Sequence, residues 1–205
     1  MSVFTRQNYT DQLFTSLVLE KEQLEQIEFQ NCQFKQCKFL EVTFNKVKFT
    51  ECDFEGCDLS LSQFPYCRFS EVSFKDSKLV GINWTKLSWP LVRLASPFYF
   101  YGSNISHSSF YELELPDLIL EQCKAHDVDF REAKLKHVSF TGTDFQNSLF
   151  QHTDLSHADF SNAINYIIDI QTNKITKACF SFPEVIGLLN NLEIKIKDLP
   201  NDNED

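Results

Sequence analysis

The sequence predicts an all-β solenoid, in which short strands wind into stacked coils, and two observations carry that prediction. A large apolar residue, most often Phe, recurs at every fifth position over two long stretches, and a small or apolar residue stands two positions before most of these centres. A five-residue period cannot keep one helical face, because each repeat turns the side chain by about 140°. One uninterrupted strand would send alternate centres to opposite faces. Short strands joined by regular corners satisfy both spacings.

The first array, residues 24–94, has the clearest repeat. Its centres are Phe29, Phe34, Phe39, Phe44, Phe49, Phe54, Leu59, Phe64, Phe69, Phe74, Leu79 and Trp84. The three remaining positions of each repeat are mainly polar, as expected for residues that face water. Residues 1–23 keep the phase weakly and place polar Gln7, Gln12 and Glu22 at the small position. This predicts a frayed first coil or an N-terminal cap.

The second array, residues 105–164, is shifted in phase by one residue. Its centres are Ile105, Phe110, Leu115, Leu120, Ala125, Phe130, Leu135, Phe140, Phe145, Phe150, Leu155 and Phe160. The pattern places the extra residue near Ala95–Tyr99, around Pro97, within a break at 95–104. Two interpretations stay open: a one-residue bulge at a corner, or a functional loop over residues 88–104.

Residues 165–200 lose the period and predict a cap or dimerisation segment. Ser181 is an expected N-cap with Glu184 three residues later, and Leu192, Ile194 and Ile196 alternate as a short strand. One apolar helical face is expected to consist of Val185, Leu188, Leu189 and Leu192. That face could cover the last coil or pair two chains. Residues 201–205 predict a disordered acidic tail.

The repeat resembles the pentapeptide-repeat family, whose consensus is Ala-Asp/Asn-Leu/Phe-X-X. The segment Ala158-Asp159-Phe160-Ser161-Asn162 fits this consensus well, and the resemblance covers residues 24–162. It implies a right-handed quadrilateral β-helix with four repeats in each coil. With that stacking, Cys32 lies over Cys52 and Cys37 over Cys57, close enough that disulfide geometry is not excluded.

Cysteine and histidine positions point away from catalysis. Six cysteines occupy the inward small position, which favours buried free thiols, and only Cys179 does not. Asp117, His137 and His157 should form a ladder on one side, which solvated surface residues explain better than a metal site. We expect no enzyme activity, no metal and no cofactor, since no nucleophile, base or phosphate loop stands out.

Composition favours a cytoplasmic protein with a protein partner. The net charge is −10, and the sequence has neither a signal-peptide pattern nor a long apolar run. An acidic balance argues against direct nucleic-acid binding, and nothing suggests membrane insertion. Residues 104–165 carry ten acids against four bases, whereas 31–90 carry seven against eight, so the negative field should lie in the second array. Those ten acids spread over all four faces.

Within the family, the chain is similar to the subgroup that protects type II topoisomerases, which includes the Qnr-type quinolone-resistance and microcin-immunity proteins. The resemblance implies an acidic, DNA-like rod that binds DNA gyrase or topoisomerase IV as a homodimer. A dimer of about 70 Å with twice the charge of one chain would hold one charge per about 3.5 Å, against about 1.7 Å in B-DNA. A scaffold for some other protein partner, with ordinary solubility charge, is the alternative.

These implications give two sets of expected contact residues. The partner-binding set is Glu112, Glu114, Asp117, Asp127, Asp129, Glu132, Phe98, Tyr99 and Tyr101. The dimer-interface set is Phe182, Val185, Leu188, Leu189, Leu192, Ile194 and Ile196.

Overall fold

The chain winds into a four-sided parallel β-solenoid of about eight turns. The computed structural model describes residues 3–90, 96–192 and 194. The strands are β1 (Asn8–Thr10), β2 (Leu13–Thr15), β3 (Val18–Glu20), β4 (Gln23–Glu25), β5 (Glu28–Gln30), β6 (Gln33–Lys35), β7 (Lys38–Leu40), β8 (Thr43–Asn45), β9 (Lys48–Thr50), β10 (Asp53–Glu55), β11 (Arg68–Ser70), β12 (Val72–Lys75), β13 (Phe98–Tyr101), β14 (Ile119–Glu121), β15 (Asp159–Phe160) and β16 (Cys179–Phe180). Two 3-10 helices span Trp84–Lys86 and Glu184–Leu192.

Most strands pair in parallel with the strand twenty residues further along, as β6 does with β10 at Phe34 and Phe54, whereas β12 and β13 are twenty-six residues apart. Face 1 contains β1, β5, β9 and β11, and face 2 contains β2, β6, β10, β12, β13 and β14. Face 3 contains β3 and β7, and face 4 contains β4 and β8. Isolated parallel bridges continue the faces through the later coils. Face 2 is therefore the longest continuous sheet.

The interior consists of the predicted centres stacked in columns. Phe34 and Phe54 stack with ring centroids 4.5 Å apart at 6°, and Phe110 stacks on Phe130 at 5.2 Å. From Phe29 to Phe160, every centre of both arrays is buried. This burial of aromatic and aliphatic surface is the main favourable term in folding.

The small inward positions also satisfy the backbone. The Thr143 hydroxyl donates to the carbonyl of Leu120 at 2.7 Å and accepts from the amide of Cys123 at 3.1 Å. Thiols occupy the same place more weakly, as Cys52 donates to the carbonyl of Phe29 at 3.4 Å. The prediction that six cysteines point inward is confirmed, and all seven are free. Cys37 and Cys57 form no disulfide; instead the Cys37 amide donates to the Cys57 sulfur at 3.4 Å.

Most corners have one residue with positive φ, two positions after the centre, whereas the corner after Trp84 is a 3-10 helix. Non-glycine residues fill most of these positions, including Asp11 (φ 54°), Leu61 (φ 59°) and Tyr66 (φ 59°). A left-handed L-residue costs about 1–2 kcal/mol. Hydrogen bonds between coils hold it there, as the amide of Asp11 donates to the carbonyl of Gln30 at 3.0 Å.

The N-terminal segment is better ordered than a frayed coil. Residues 8–25 form strands β1 to β4, which pair in register with β5 to β8. Phe4 is buried and covers the open end, with its ring edge-on to Tyr9, Phe14 and Phe29. Gln7, Gln12 and Glu22 are exposed there, since no preceding coil covers them.

The phase break is an insertion of six residues. The pairing step is twenty residues from Phe54 to Phe74 but twenty-six from Phe74 to Phe100. The amide of Ser88 still donates to the carbonyl of Cys67 in the regular register. The amide of Glu71 donates to the carbonyl of Ser96, just as the amide of Glu51 one coil earlier donates to the carbonyl of Ser70. The additional residues therefore lie between Ser88 and Ser96, earlier than the predicted position around Pro97. Six residues are one five-residue repeat plus one further residue, which explains why the second array is shifted in phase by one residue. Residues 91–95 lie outside the described part of the chain.

The C-terminal end differs from the prediction in three ways. Coil stacking continues past 164 to Phe180, which pairs with Phe160. The helix is a 3-10 helix, and the Ser181 hydroxyl accepts from the amide of Asn162 instead of capping it. Leu192 belongs to this helix and Ile194 to no strand, so the expected strand is absent at these two residues. Ile196 and the tail 201–205 lie outside the described residues.

Candidate partner-binding surfaces

The aromatic members of the expected partner-binding set divide into one buried and two surface residues. Phe98 is fully buried and contacts Trp84 at 4.9 Å between ring centroids, so it is wrong as a surface contact. Tyr99 and Tyr101 alternate with it on β13 and point outward from face 2, where both are partly exposed. Burial first, and then the Glu121 carboxylate, raises the pKa of Tyr101.

The acidic members do not come together. Glu114 lies on face 1, Asp129 on face 4 and Asp127 at the corner between faces 3 and 4. Glu112 and Glu132 follow one another at the corner between faces 4 and 1. The remaining member, Asp117, lies at the corner between faces 1 and 2. The structure thus spreads these six acids around the rod, as the sequence predicted for the second array.

Basic residues pair with two of these acids, and a histidine lies beside a third. Lys134 reaches Glu114 at 3.1 Å, and the His107 ring lies 3.8 Å from Asp127. Arg131 forms a forked pair with Asp129, with Nε and Nη2 each 2.9 Å from a carboxylate oxygen, and this lowers the pKa of Asp129. These residues are therefore weak candidates for an unbalanced negative surface.

Uncompensated acid instead gathers along face 2 and its two bordering corners. The acids of this side are Asp11, Glu51, Asp53, Glu55, Glu71, Asp76, Asp117, Glu121 and Asp159, against the bases Lys35, Lys75 and Lys177. Nine acids against three bases give this side a net charge of −6. Within the described residues only Glu55 of the nine forms an ion pair, with Lys35 at 3.1 Å.

The other sides carry a smaller net charge. Face 4 with its two corners has the acids Glu25, Glu41, Glu112, Asp127, Asp129, Glu132 and Asp169 against the bases Lys21, Lys46, Lys86 and Arg131, which leaves −3. The outward positions of face 1 have Glu28, Glu114 and Asp154 against Lys48, Arg68, Lys134, Lys136 and Lys174, which leaves +2. The excess negative charge of face 2 is therefore concentrated in residues 8–88, where six acids stand against two bases; in residues 96–180 the same side has three acids against one base.

An apolar patch interrupts the polar surface of face 2, and we call Tyr99, Tyr101 and Ile119 the tyrosine patch. Tyr99 pairs with Ser73 on one side and Ile119 on the other, and Tyr101 pairs with Lys75 and Glu121. All three patch side chains are partly exposed. Sequence reasoning found the tyrosines but missed Ile119, because it requires the register across the insertion.

The expected dimer-interface residues serve two different roles. Leu188 is buried and Val185 packs on the core, so this part of the helix covers the chain's own last coil. Leu189 and Leu192 are partly buried. Phe182 and Ile194 remain exposed, by 77% and 54%, as does Ile167 by 72%.

The histidine ladder has the predicted geometry. His137 and His157 stack with ring centroids 4.5 Å apart, and Asp117 and Lys177 occupy the same corner one coil below and above. Burial, His137 and Lys177 lower the pKa of His157. Within the described residues, no group of three or more His, Cys, Asp or Glu side chains could hold a metal ion. No helix in the described part is long and apolar enough to cross a membrane.

A four-sided parallel solenoid of five-residue repeats defines a class of repeat protein, and comparison with known proteins identifies it. The model of the pentapeptide repeat region matches residues 27–110 and 98–165, so the chain belongs to the pentapeptide-repeat family. None of the curated proteins matches the chain.

Two solved structures share the fold. Full-length QnrB1, a plasmid-mediated fluoroquinolone resistance protein, is 16% identical with a TM-score of 0.57, covering 91% of this chain and 100% of that one. HetL, a pentapeptide repeat protein involved in heterocyst differentiation regulation in the cyanobacterium Nostoc, is 16% identical with a TM-score of 0.53, covering 86% and 88%.

Proposed function

We propose that this chain is a binding protein that occupies the DNA-binding surface of DNA gyrase or topoisomerase IV and so protects the enzyme from quinolone-type or peptide inhibitors. The observation that carries the proposal is the segregation of charge. Face 2 with its corners holds −6 along the rod, almost without ion pairs among the described residues. A surface that binds duplex DNA is basic, and a rigid acidic rod complements it.

Rigidity supports this role. The backbone that carries the acids of face 2 and its corners is held by a parallel ladder on fully buried centres, so little backbone conformational entropy is lost when the acids engage a partner. About eight turns at about 4.8 Å make a rod of roughly 40 Å, which spans about one turn of duplex DNA.

A scaffold for a different protein partner is the second candidate. QnrB1 favours the topoisomerase proposal through its role in fluoroquinolone resistance, whereas HetL has the same fold and a different role. Fold alone therefore does not decide between them. The smaller net charge of faces 1 and 4 also leaves most of the rod free for another partner.

Homodimerisation through the C-terminal segment forms part of the proposal. Exposed Phe182 and Ile194 are suited to an interface between two copies, whereas Leu188 and Val185 already pack internally. The variant Phe182→Ser/Ile194→Ser should be monomeric by light scattering if the wild type is dimeric. A monomeric wild type would remove the dimer from the proposal without touching the binding role.

The direct test is gyrase supercoiling in the presence of a fluoroquinolone, titrated with the full chain. We expect micromolar protein to restore supercoiling, or to inhibit it by competing with DNA. Topoisomerase IV decatenation provides the parallel assay. If neither enzyme responds in either direction, the proposed function is wrong and the scaffold alternative stands.

A further inference from the structure

We infer that the tyrosine patch of face 2 is the docking site for a partner protein surface that combines Lys or Arg with apolar side chains. The inference deepens the proposed function: the identity of the partner as a type II topoisomerase rests on that proposal, whereas the location and chemistry of the contact rest on the geometry of face 2.

The first step is the unusual chemistry of the patch. A parallel sheet is normally covered on both faces, yet the outer side of this six-stranded sheet is open. Its outward positions are mostly polar along the coils, such as Gln33, Ser73 and Ser139. Tyr99, Tyr101 and Ile119 are adjacent exceptions in the middle of the face, so apolar surface is concentrated where a partner could bury it.

The second step is that the patch is held rigidly. Phe98 and Phe100 alternate with the two tyrosines and are fully buried, which fixes β13 against the core. Backbone pairing on both sides fixes the strand in register. A tyrosine so held provides a large contact area with little entropy left to lose, which is the property of an interface anchor.

The third step is the acidic rim. Glu71 and Asp117 border the patch at the corner of faces 1 and 2, Asp76 at the next corner, and Glu121 lies beside Tyr101. None of these four forms an ion pair within the described residues, and the Glu121 carboxylate accepts a hydrogen bond from the Ser139 hydroxyl at 2.6 Å. Lys75 also lies beside Tyr101, so the rim has four acids against one base. An apolar centre with a net acidic rim matches the anatomy of an interface for a basic surface.

The same charges disfavour the other occupants. A second copy of face 2 would place two acidic rims together, and nucleic acid would bring phosphates against carboxylates. Electrostatic imitation of DNA by itself would not require tyrosines. The patch therefore predicts that affinity depends on apolar contacts as well as on charge.

The test compares two sets of conservative surface variants in the full chain. Tyr99→Ser/Tyr101→Ser/Ile119→Ser brings the patch close to the Ser and Thr found one coil away. The matched control, Leu61→Ser/Tyr66→Ser, removes two apolar side chains exposed by 55% and 67% at the two corners of face 4. Affinity for immobilised gyrase should fall at least about tenfold for the patch variant and less than about twofold for the control. Circular dichroism verifies that both variants fold.

Equal loss in both variants, or no loss in the patch variant, would overturn the inference while leaving protection of gyrase intact. Absence of wild-type binding to either topoisomerase would instead remove the proposed function. In that case the peptide Lys-Lys-Trp-Lys-Lys serves as the probe, with amide chemical shifts mapped on the wild type. Shifts centred on Tyr99, Tyr101 and Ile119 support the patch, and shifts distributed over other faces, or none at all, contradict it.

Discussion

The two halves of the solenoid, residues 8–88 and 96–180, build the same coil from different interiors. In the first half, three-residue strands surround Phe columns, and the inward small positions are largely Cys and Val. In the second half, isolated bridges replace most strands, and Ser, Thr and Ala take the small positions among Leu, Ala and Phe centres.

The corners differ accordingly. In much of the second half the corner closes as a hydrogen-bonded turn, where the amide of Ala133 donates to the carbonyl of Phe130 at 3.2 Å. Positive φ at Glu132, the third residue of that turn, is what a type II turn requires. Most corners in coils two and three lack this bond where Cys or Val follows, although the amide of Cys67 donates to the carbonyl of Phe64 at 3.3 Å. At Val42 and Val47, branching at Cβ favours extended backbone. The comparison shows that the coil geometry determines which backbone amides and carbonyls need a hydrogen-bond partner. A turn, a hydroxyl or a thiol can each provide that partner.

The largest expected effect is removal of one ring from a Phe column. Phe54→Ala should lower the free energy of unfolding by about 4 kcal/mol, because Phe34 and Phe74 stack on both sides of this ring. Leu120→Ala, in the same column of the second half, should cost about 3 kcal/mol. Urea unfolding measures both, and a loss below about 1 kcal/mol for Phe54→Ala would mean that the columns do not carry the core.

The interior hydroxyls should matter more than the thiols. Thr143→Val keeps the shape but leaves the carbonyl of Leu120 and the amide of Cys123 without their partner, at an expected cost of about 2 kcal/mol. Cys52→Val is the matched change in the first half and should cost under about 1 kcal/mol, since the thiol bond is long and weak. Equal costs would contradict the distinction between the two interiors.

Acid should weaken the second half through Asp129. Because Arg131 lowers the pKa of Asp129 below its usual value, this carboxylate contributes stability at pH above the pKa of the unfolded chain, and that contribution is lost as the pH falls through the lower pKa of the folded state. Asp129→Asn should therefore reduce the difference in unfolding free energy between pH 7 and pH 3. Arg131→Gln should have the same effect, and an unchanged difference in both variants would show that the pair is not linked to folding.

The smallest expected effect is at a corner. Leu61 adopts φ 59°, a conformation that Asn tolerates better, so Leu61→Asn should stabilise the first half by about 0.5 kcal/mol. Asn147→Leu makes the reverse change at the same corner of the second half and should destabilise by a similar amount. Thermal unfolding measures the pair; shifts in the same direction would mean that side-chain packing, not backbone strain, governs these corners.

The five-residue period predicted the interior nearly completely, because Phe centres and small residues can share one core only in this coil. It did not predict the faces. Asp117 and Glu71 share a corner because the coil between them is six residues longer than the others, so that Pro97 stands twenty-six residues after Glu71. The phase shift of one residue shows only that the insertion is a multiple of five residues plus one, and it does not give the length. The loss of period after Phe160 likewise concealed a further stretch of coil. There Asn173 takes the inward position over Thr153, and its side-chain oxygen accepts a hydrogen bond from the amide of Thr153 at 2.9 Å.

The most direct test of the central claim, that face 2 is the binding side, is hydrogen–deuterium exchange of the full chain with and without gyrase. We predict slower exchange on binding at residues 71–76, 98–101 and 117–121, with faces 1 and 4 of the same coils unchanged. Protection confined to face 1, face 4 or the C-terminal helix would contradict the claim.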